Sequence, residues 1–256
     1  MEGMTMLYKT LLDPDVVAMR QRFATEFGMP VLELMNPQPG ERILDVGCGF
    51  GSICEKLTER GCTAVGVDIS STMVKAAVQL GVDARVMNAE NLTFNEEFDG
   101  VYSNSALHWM RHLNRVAEGV KRALKPGGRF VGELGGKGSI SSIIAAIREV
   151  MDKHGIEMES VQSWYFPSLS EFSATLEKAG FVIQSIEQLD RPTVLPGDVR
   201  DWIKMFGRHY LDSWHPSERD KFLDAVKVIG EKTMVNEKGE WIADYRRVRF
   251  VAIKPA

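Results

Sequence analysis

Short apolar segments alternate with amphipathic helical patterns along the first half of the chain, and this alternation constrains the fold more than any other feature. Five segments are typical of buried strands: 43–46, 63–68, 84–87, 98–103 and 129–134. Helical patterns lie between them, and Pro126-Gly127-Gly128 marks the end of the helix before the fifth strand. Strands that alternate with helices form a parallel sheet covered on both faces. The sequence therefore predicts a doubly wound α/β fold.

The pattern changes after the fifth strand. A capping box at 168–171 begins another helix, and 181–189 is typical of a sixth strand. Two further helical patterns fill 198–232 before a last strand at 246–253. Two helices leave no room for a simple parallel crossover, so we expect an antiparallel pair of strands at the sheet edge, with the helices inserted as a cap.

These patterns divide the chain of 256 residues into three parts. Residues 1–36 form an N-terminal helical segment that ends at a turn rich in proline and glycine. Residues 37–197 and 238–256 form the α/β core, and residues 198–237 form the helical cap insertion. This length suits one domain that carries such an insertion.

Composition limits the partners and the compartment. The formal net charge of −4 disfavours nucleic acids and anionic membranes, which both reward basic surfaces. Three cysteines form neither a disulfide framework nor a CxxC pair, which indicates free thiols in a reducing compartment. We see no signal peptide and no apolar stretch near the ~20 residues that span a bilayer. We expect a cytoplasmic protein without a nucleic-acid or membrane partner.

The strongest local signal is a glycine-rich turn at residues 45–51, between the first strand and its helix. The missing side chains of Gly47 and Gly49 let a ligand touch the backbone. Dinucleotide-binding enzymes use such a turn too, but their G-x-G-x-x-G spacing would need a glycine in place of Ser52. Asp45 would repel a pyrophosphate, whereas it suits a cationic ligand with an amino-acid tail.

Further polar groups follow the next three strands. Asp68 ends the second strand, where a carboxylate can accept hydrogen bonds from both ribose hydroxyls. Residues 88–91 follow the third strand and could present an amide and backbone groups to a purine edge. Residues 103–109 follow the fourth strand, beside the first loop at the topological switch point. Four loops thus converge on one predicted nucleoside crevice.

With these residues in place, the chain resembles the class I S-adenosylmethionine-dependent methyltransferases, in particular the trans-aconitate-methyltransferase-like group. The motifs that carry the resemblance are residues 40–49, 65–68, 103–109, 164–168, 191–193 and 244–247. The first two are specific to the superfamily, and the others point to the subgroup. The resemblance runs from residue 28 to the C-terminus.

The resemblance implies a Rossmann-like seven-stranded sheet ordered 3-2-1-4-5-7-6, with strand 7 antiparallel. It also implies S-adenosylmethionine as cofactor, S-adenosylhomocysteine as product, and a small-molecule methyl acceptor, for which a carboxylic acid is one candidate class. The implied cofactor-binding residues are Asp45, Gly47, Cys48, Gly49, Asp68, Ile69, Met73, Asn88, Ala89, Glu90 and Asn104. The methionine end would contact Asp45, Gly47 and the main chain near Asn104, the ribose Asp68, and the adenine Ile69, Asn88 and Ala89.

The chain departs from the family pattern at three places. Asn88 stands where the family usually has an acid on the adenine side, and Phe50 replaces a small residue of the glycine loop. The family's N-terminal Trp and Tyr are not evident around residues 12–19, and Tyr8, which precedes this stretch, could compensate for them.

The histidines and aromatic residues supply the remaining candidates. His108 and His112 are four apart, but the glutamate of H-E-x-x-H and a third ligand are missing, so we predict no metal site. His108 is instead a hydrogen-bonding group in the crevice, or a general base if the acceptor needs deprotonation. Most aromatic residues outside the sheet pack the cap helices, and the remainder would wall an acceptor pocket. The pocket candidates are Trp109, Trp164, Tyr165, Phe206 and Tyr210.

The predicted reaction is in-line displacement of the methyl group from the sulfonium, driven by alignment and water exclusion. Arg191, Arg246 and Arg247 are expected to be exposed or structural, although one could pair with an acceptor carboxylate. Two alternatives stay open: a non-catalytic nucleoside-binding module, and a nicotinamide-dependent oxidoreductase, which Ser52 and the antiparallel last strand disfavour. Either a monomer or a homodimer is compatible with this prediction.

Overall fold

The computed structural model describes the backbone of residues 14–256 and the side chains from residue 25 onward. The expectations about Tyr8, about the family's missing aromatic residues at 12–19, and about much of the N-terminal segment 1–36 lie wholly or partly outside these described residues.

The described helices and strands follow the predicted alternation. The helices are α1 (Pro14–Met35), α2 (Ser52–Glu59), α3 (Ser71–Gln79), α4 (Leu113–Ala123), α5 (Ser141–Lys153), α6 (Met158–Val161), α7 (Leu169–Lys178), α8 (Val199–Phe206), α9 (Arg208–Leu211) and α10 (Arg219–Met234). The strands are β1 (Arg42–Val46), β2 (Thr63–Asp68), β3 (Asp83–Val86), β4 (Phe98–Asn104), β5 (Leu124–Gly135), β6 (Val182–Val194) and β7 (Ile242–Ile253). Short 3₁₀ helices cover Ala89–Asn91, Leu107–Trp109 and Pro216–Glu218.

The seven strands form one sheet in the order β3-β2-β1-β4-β5-β7-β6. The central strand β1 pairs in parallel with β2 and β4, and the parallel pairing continues outward to β3 and β5. At the start of β5, the backbone N–H of Gly127 donates to the carbonyl of Lys254, and the N–H of Lys254 donates to Gly128. Because these bonds join the chain at the end of β7 to the start of β5, the two strands run antiparallel. The predicted Rossmann-like fold, its strand order and its antiparallel seventh strand are confirmed.

Three strand boundaries differ from the sequence prediction by more than one residue. Helix α4 ends at Ala123, and Pro126-Gly127-Gly128 lies inside β5 rather than at the helix end. The reason is that Leu124 already pairs with Phe98 of β4, and a register shift before the next pair absorbs the intervening residues. Strand β6 continues to Val194 and β7 begins at Ile242, so both are longer than predicted.

The chain forms two compact units. The first comprises the described part of Met1–Gly135, together with Pro167–Gln188 and Val248–Ala256. Its sheet is apolar on both faces: Leu44 and Phe130 belong to one buried cluster, and Ile43 and Val131 belong to the other. Side chains alternate between the faces of a strand, so Asp45 lies on the face of Ile43. Helix α2 packs on that face and buries Ile53 there.

The second unit comprises Gly136–Phe166 and Leu189–Arg247 and has its own apolar cluster. Helices α5, α8 and α10 contribute Ile147, Trp202 and Phe222 to this cluster. The unit contains residues on both sides of the predicted insertion 198–237, whose role as a cap stays a prediction. No helix within residues 14–256 combines the length and the apolar character that crossing a membrane requires.

Candidate cofactor and active site

Asp45 is the buried acid at the centre of the candidate site. It lies near the carboxyl end of β1, its residue is 2% exposed, and its Oδ2 accepts a hydrogen bond from the Cys54 thiol at 3.6 Å. Burial raises the pKa of Asp45 to about 7; the Cys54 hydrogen bond opposes the rise and the nearby charge of Asp68 adds to it. The carboxyl is therefore poised between its acid and its anion at neutral pH, and a cation placed beside it would favour the anion.

The glycine-rich turn after β1 has the backbone that its sequence predicts. Gly47 has a φ of +79°, and a Cβ at this position would come within 2.2 Å of the Ala106 Cβ, so no side chain fits. Among the described atoms, a Cβ on Gly49 would meet the Met73 sulfur alone, at 4.0 Å. The turn is held in place because the N–H groups of Gly47 and Cys48 both donate to the carbonyl of Val67. The open side at Gly49 can admit a ligand against the backbone.

Asp68 joins the ends of two loops. Its Oδ2 accepts from the Gly49 N–H at 3.0 Å and its Oδ1 from the Ser70 N–H at 2.8 Å. Burial raises the pKa of Asp68 even though these backbone hydrogen bonds oppose the rise. Each carboxylate oxygen has a further lone pair, so both can still accept a hydroxyl. The Ser70 hydroxyl accepts from the Met73 N–H and caps α3, so Asp68 is not the cap of that helix.

Hydrogen bonds connect the loop after β3 to the loop after β4. The Oδ1 of Asn88 accepts from the Glu90 N–H at 2.9 Å. The side chain can therefore offer its amide N–H groups to a ligand as hydrogen-bond donors. The Oε1 of Glu90 accepts from the N–H groups of Arg111 and His112, at 2.9 and 3.1 Å. Ile69, after β2, is 72% exposed. Glu90 thus connects two loops, and its predicted contact with a cofactor stays a prediction.

Asn104 ends β4 with a buried amide oxygen that has no hydrogen-bond partner among the described residues. The next residue, Ser105, has a φ of +56°, a strained value for a residue other than glycine. Two hydrogen bonds fix the end of the strand: Ser103 Oγ donates to the Val46 carbonyl at 2.8 Å, and the Ser105 N–H donates to the backbone carbonyl of Glu133 at 2.8 Å. A buried acceptor without a donor is costly, so the Asn104 oxygen suits a ligand that donates.

His108 lies in the 3₁₀ turn after β4 and is buried. Its Nδ1 accepts a hydrogen bond from the Gly135 N–H at 3.2 Å. The neutral ring therefore carries its proton on Nε2, because Nδ1 uses its lone pair in this bond. In this tautomer His108 is a hydrogen-bond donor, and acting as a base would require it to give up the Gly135 contact. The catalytic role of His108 stays a prediction.

Four residues around the site were missed by sequence reasoning. Cys54 donates to Asp45, and Tyr102, paired with Asp45 in the sheet, donates its hydroxyl to the Gly28 carbonyl. Glu133 is fully buried and accepts from Arg249 at 2.8 and 2.9 Å. A lone acid in the apolar strand β5 was the one available signal for the Glu133–Arg249 pair. Nothing in the sequence distinguishes Cys54 from any other cysteine on a helix.

The predicted pocket residues fall into both units. Trp109 belongs to the first unit and is 43% exposed, whereas Trp164 and Tyr210 are buried in the second. The Trp164 ring meets the Trp202 and Tyr210 rings edge to face, both at 5.7 Å between centroids. Packing of the second unit is thus the observed role of Trp164 and Tyr210.

The other two pocket candidates are more accessible. Tyr165 is 43% exposed, and Phe206 is partly buried beside Trp202, at 5.6 Å between ring centroids. A role in acceptor binding stays a prediction for all five pocket candidates.

The predicted arginines differ in their surroundings. The Arg247 guanidinium is buried 4.6 Å from the centroid of the Tyr245 ring, a cation–π contact. Arg246 forms an exposed ion pair with Asp190 at 3.1 Å. Both contacts lie within the second unit, and neither of them indicates that the arginine binds a ligand.

Comparison with known proteins shows that the chain is similar to methyltransferases. The family model described as "Methyltransferase domain" matches residues 44–132. An uncharacterized methyltransferase of Schizosaccharomyces pombe is 34% identical over 244 residues, which cover 91% of this chain and 94% of that protein. A malonyl-[acyl-carrier protein] O-methyltransferase of Priestia megaterium is 28% identical over 145 residues, 54% of this chain and 52% of that protein.

The fold has solved counterparts as well. The phosphoethanolamine N-methyltransferase 2 of Haemonchus contortus, in complex with phosphomonomethylethanolamine and S-adenosylhomocysteine, superposes with a TM-score of 0.58 at 21% identity. The match covers 90% of this chain and 52% of that one.

Proposed function

The chain belongs to the class I S-adenosylmethionine-dependent methyltransferase family, and we propose that it transfers a methyl group from S-adenosylmethionine to a small-molecule acceptor. S-adenosylmethionine supplies a methyl group made electrophilic by the adjacent sulfonium. The observation that carries this proposal is the pair of acids at the carboxyl ends of β1 and β2. Asp45 is buried with no cation beside it among residues 25–256, and both oxygens of Asp68 can accept a further hydrogen bond.

The described residues fit the cofactor. Asp45 and the unpartnered Oδ1 of Asn104 would accept from the ammonium group of the amino-acid tail, which donates three hydrogen bonds. The open side of Gly49 would let the tail lie against the backbone of Gly47, Cys48 and Gly49, with Met73 opposite Gly49. This part of the proposal is supported by the buried amide oxygen of Asn104, to which no group within residues 25–256 donates.

The nucleoside part of the cofactor would follow the loops after β2 and β3. Asp68 would accept from the ribose hydroxyls. The exposed Ile69 and the buried Ala89 would give apolar contact to the adenine, beside Glu90. Asn88 would donate its amide N–H to a ring nitrogen, since its oxygen already accepts from Glu90.

We further propose a small carboxylic acid as the acceptor class. A carboxylate is already nucleophilic, so its methylation needs alignment and exclusion of water rather than a base. The tautomer of His108 fits this class, because an Nε2 donor can orient an acceptor oxygen but cannot remove a proton. The resemblance to the trans-aconitate-methyltransferase-like group points to the same class, and the partial match to an O-methyltransferase supports an oxygen atom as the acceptor.

The test is a methyl-donor assay with the purified protein against a panel of small acids, phenols and amines. We expect turnover with one or more carboxylic acids, and tight S-adenosylhomocysteine binding in calorimetry with no binding of NAD. Turnover with phenols or amines alone would contradict the acceptor class. Binding of S-adenosylhomocysteine without any turnover would favour a non-catalytic nucleoside-binding module.

A further inference from the structure

The Cys54 thiol is the hydrogen-bond donor that the structure gives to the Asp45 side chain. Cys54 is 1% exposed and lies in the first turn of α2, directly after the glycine-rich turn. Its Sγ is 3.6 Å from the Asp45 Oδ2. Gly66 makes this approach possible, because a Cβ there would come within 3.2 Å of the Cys54 sulfur and 2.7 Å of the Cys48 sulfur. The contact is therefore built by three separate elements: β1, β2 and α2.

Among the described residues, the other titratable and charged groups around Asp45 form no hydrogen bond with it. In the glycine-rich turn, the Cys48 thiol donates to the Gly49 carbonyl at 3.8 Å. On β4, the Tyr102 hydroxyl donates to the Gly28 carbonyl at 3.0 Å. On β2, Asp68 is itself an acid and disfavours a charge on Asp45.

Two further charged groups, which act on Tyr102, are bonded to each other. Burial and the charges of Asp45 and Glu133 raise the pKa of Tyr102, and Arg249 of β7 opposes the rise; the Arg249 guanidinium is bonded to Glu133 of β5. Among the described groups that face Asp45, the thiol of Cys54 is thus the side chain that stabilises its anion by a hydrogen bond.

We propose that Cys54 is a positioning residue that orients the Asp45 carboxylate and holds it ready for the ammonium group of the cofactor tail. This inference rests on the proposed function of Asp45. The role needs no reaction at sulfur, only a thiol that stays protonated next to the carboxylate.

Burial makes Cys54 suited to that role. It raises the pKa of the Cys54 thiol well above its ordinary value, and the charge of Asp45 raises it further, so the S–H remains a donor throughout the working pH range. The hydrogen bond in turn lowers the pKa of Asp45 against the effect of burial. Without the thiol, Asp45 would take up its proton at a higher pH and lose its attraction for a cation there.

The experiment measures the affinity for S-adenosylhomocysteine by calorimetry between about pH 5 and pH 9 for wild type, Cys54→Ala and Cys54→Ser. We expect the pH at which affinity begins to fall to rise by about one unit in Cys54→Ala, which is about a fivefold loss of affinity at pH 7. Serine keeps a donor, so Cys54→Ser should restore the wild-type profile. The matched control is Cys62→Ala, a buried cysteine whose thiol bonds to the Gln38 carbonyl at 3.3 Å, and its profile should match wild type.

Several outcomes separate this inference from the proposed function. An unchanged pH profile in Cys54→Ala, with normal binding by wild type, overturns the role of Cys54 and leaves the cofactor site standing. A pH-independent loss of affinity in Cys54→Ala means a packing role and overturns the inference too. Failure of wild type to bind S-adenosylhomocysteine at any pH refutes the proposed function itself.

A second measurement does not require Cys54→Ala to fold. The infrared S–H stretching band of Cys54, identified by its loss in Cys54→Ser, should shift as pH rises through the titration of Asp45, because a carboxylate is a stronger acceptor than a carboxylic acid. The shift should be absent in Asp45→Asn. A Cys54 band that stays fixed in wild type across this range overturns the proposal.

Discussion

Individual side chains at the carboxyl ends of β1 and β2 account for most of the chemistry of the candidate site. Asp68 accepts one backbone hydrogen bond on each oxygen, so it both shapes the loops and offers acceptors to a ligand. We expect Asp68→Ala to weaken S-adenosylhomocysteine binding by about 1–3 kcal/mol, the cost of losing a charged hydrogen-bond partner. Calorimetry gives the affinity, and Asp99→Ala, in the ion pair with Lys125, is the control. An affinity equal to wild type would remove Asp68 from the site.

Asp45 should destabilise the ligand-free protein at alkaline pH. Its pKa in the folded state, about 7, lies above its ordinary value, so the folded state binds the proton more tightly than the unfolded state. The stability contributed by the protonated carboxyl is complete below the unfolded pKa and is lost as pH rises through about 7. Asp45→Asn should therefore raise the free energy of unfolding at about pH 8 by on the order of 2–4 kcal/mol, and by less at about pH 5.

Urea unfolding of the ligand-free protein at the two pH values measures this difference. The exposed Asp83→Asn serves as control and should show no comparable pH dependence. The same Asp45→Asn protein should lose affinity for S-adenosylhomocysteine, so stability and binding would change in opposite directions. Equal stabilisation at both pH values would contradict the buried, titrating state of Asp45.

At the scale of elements, two glycines distinguish the cost of backbone strain from the cost of a steric clash when a side chain is added. A side chain on Gly47 would have both an unfavourable φ of +79° and a clash with the Ala106 Cβ. At Gly40, with a φ of +86°, a Cβ would have no atom of the described residues within 4 Å. Gly40→Ala should cost about 1–2 kcal/mol of unfolding free energy and leave S-adenosylhomocysteine affinity unchanged. Gly47→Ala should lower the affinity at least tenfold in calorimetry, because the turn must move. Equal affinities of the two variants would show that the Ala106 contact is harmless.

The whole molecule provides two compact units, and every implied cofactor residue lies in the first. Ligand binding stabilises the folded state by about 3 kcal/mol at a hundredfold excess over the dissociation constant. Hydrogen exchange should show this protection in the loops after β1, β2 and β3 when S-adenosylhomocysteine is added. Protection confined to residues 136–166 and 189–247 would contradict the assignment of the site to the first unit.

Local patterns made much of this protein predictable. Burial periodicity and turn chemistry depend on neighbours in the chain. They therefore identified the strand segments, the Ser70 and Ser168 caps, and the two acids near the carboxyl ends of β1 and β2. The boundary of α4 was wrong because Leu124 pairs with Phe98, a contact that local pattern does not contain.

The sequence by itself determined the order of strands and helices, the position of the glycine-rich turn and the acids beside it, since each depends on residues a few positions apart. Only the tertiary structure decided which atoms those residues present. The Cys54 bond to Asp45, the His108 tautomer and the buried Glu133–Arg249 pair, 116 positions apart, arise where separate strands and helices meet. Hydrogen bonds and burial depend on which residues are close in space, and the spacing of residues along the chain does not give that proximity.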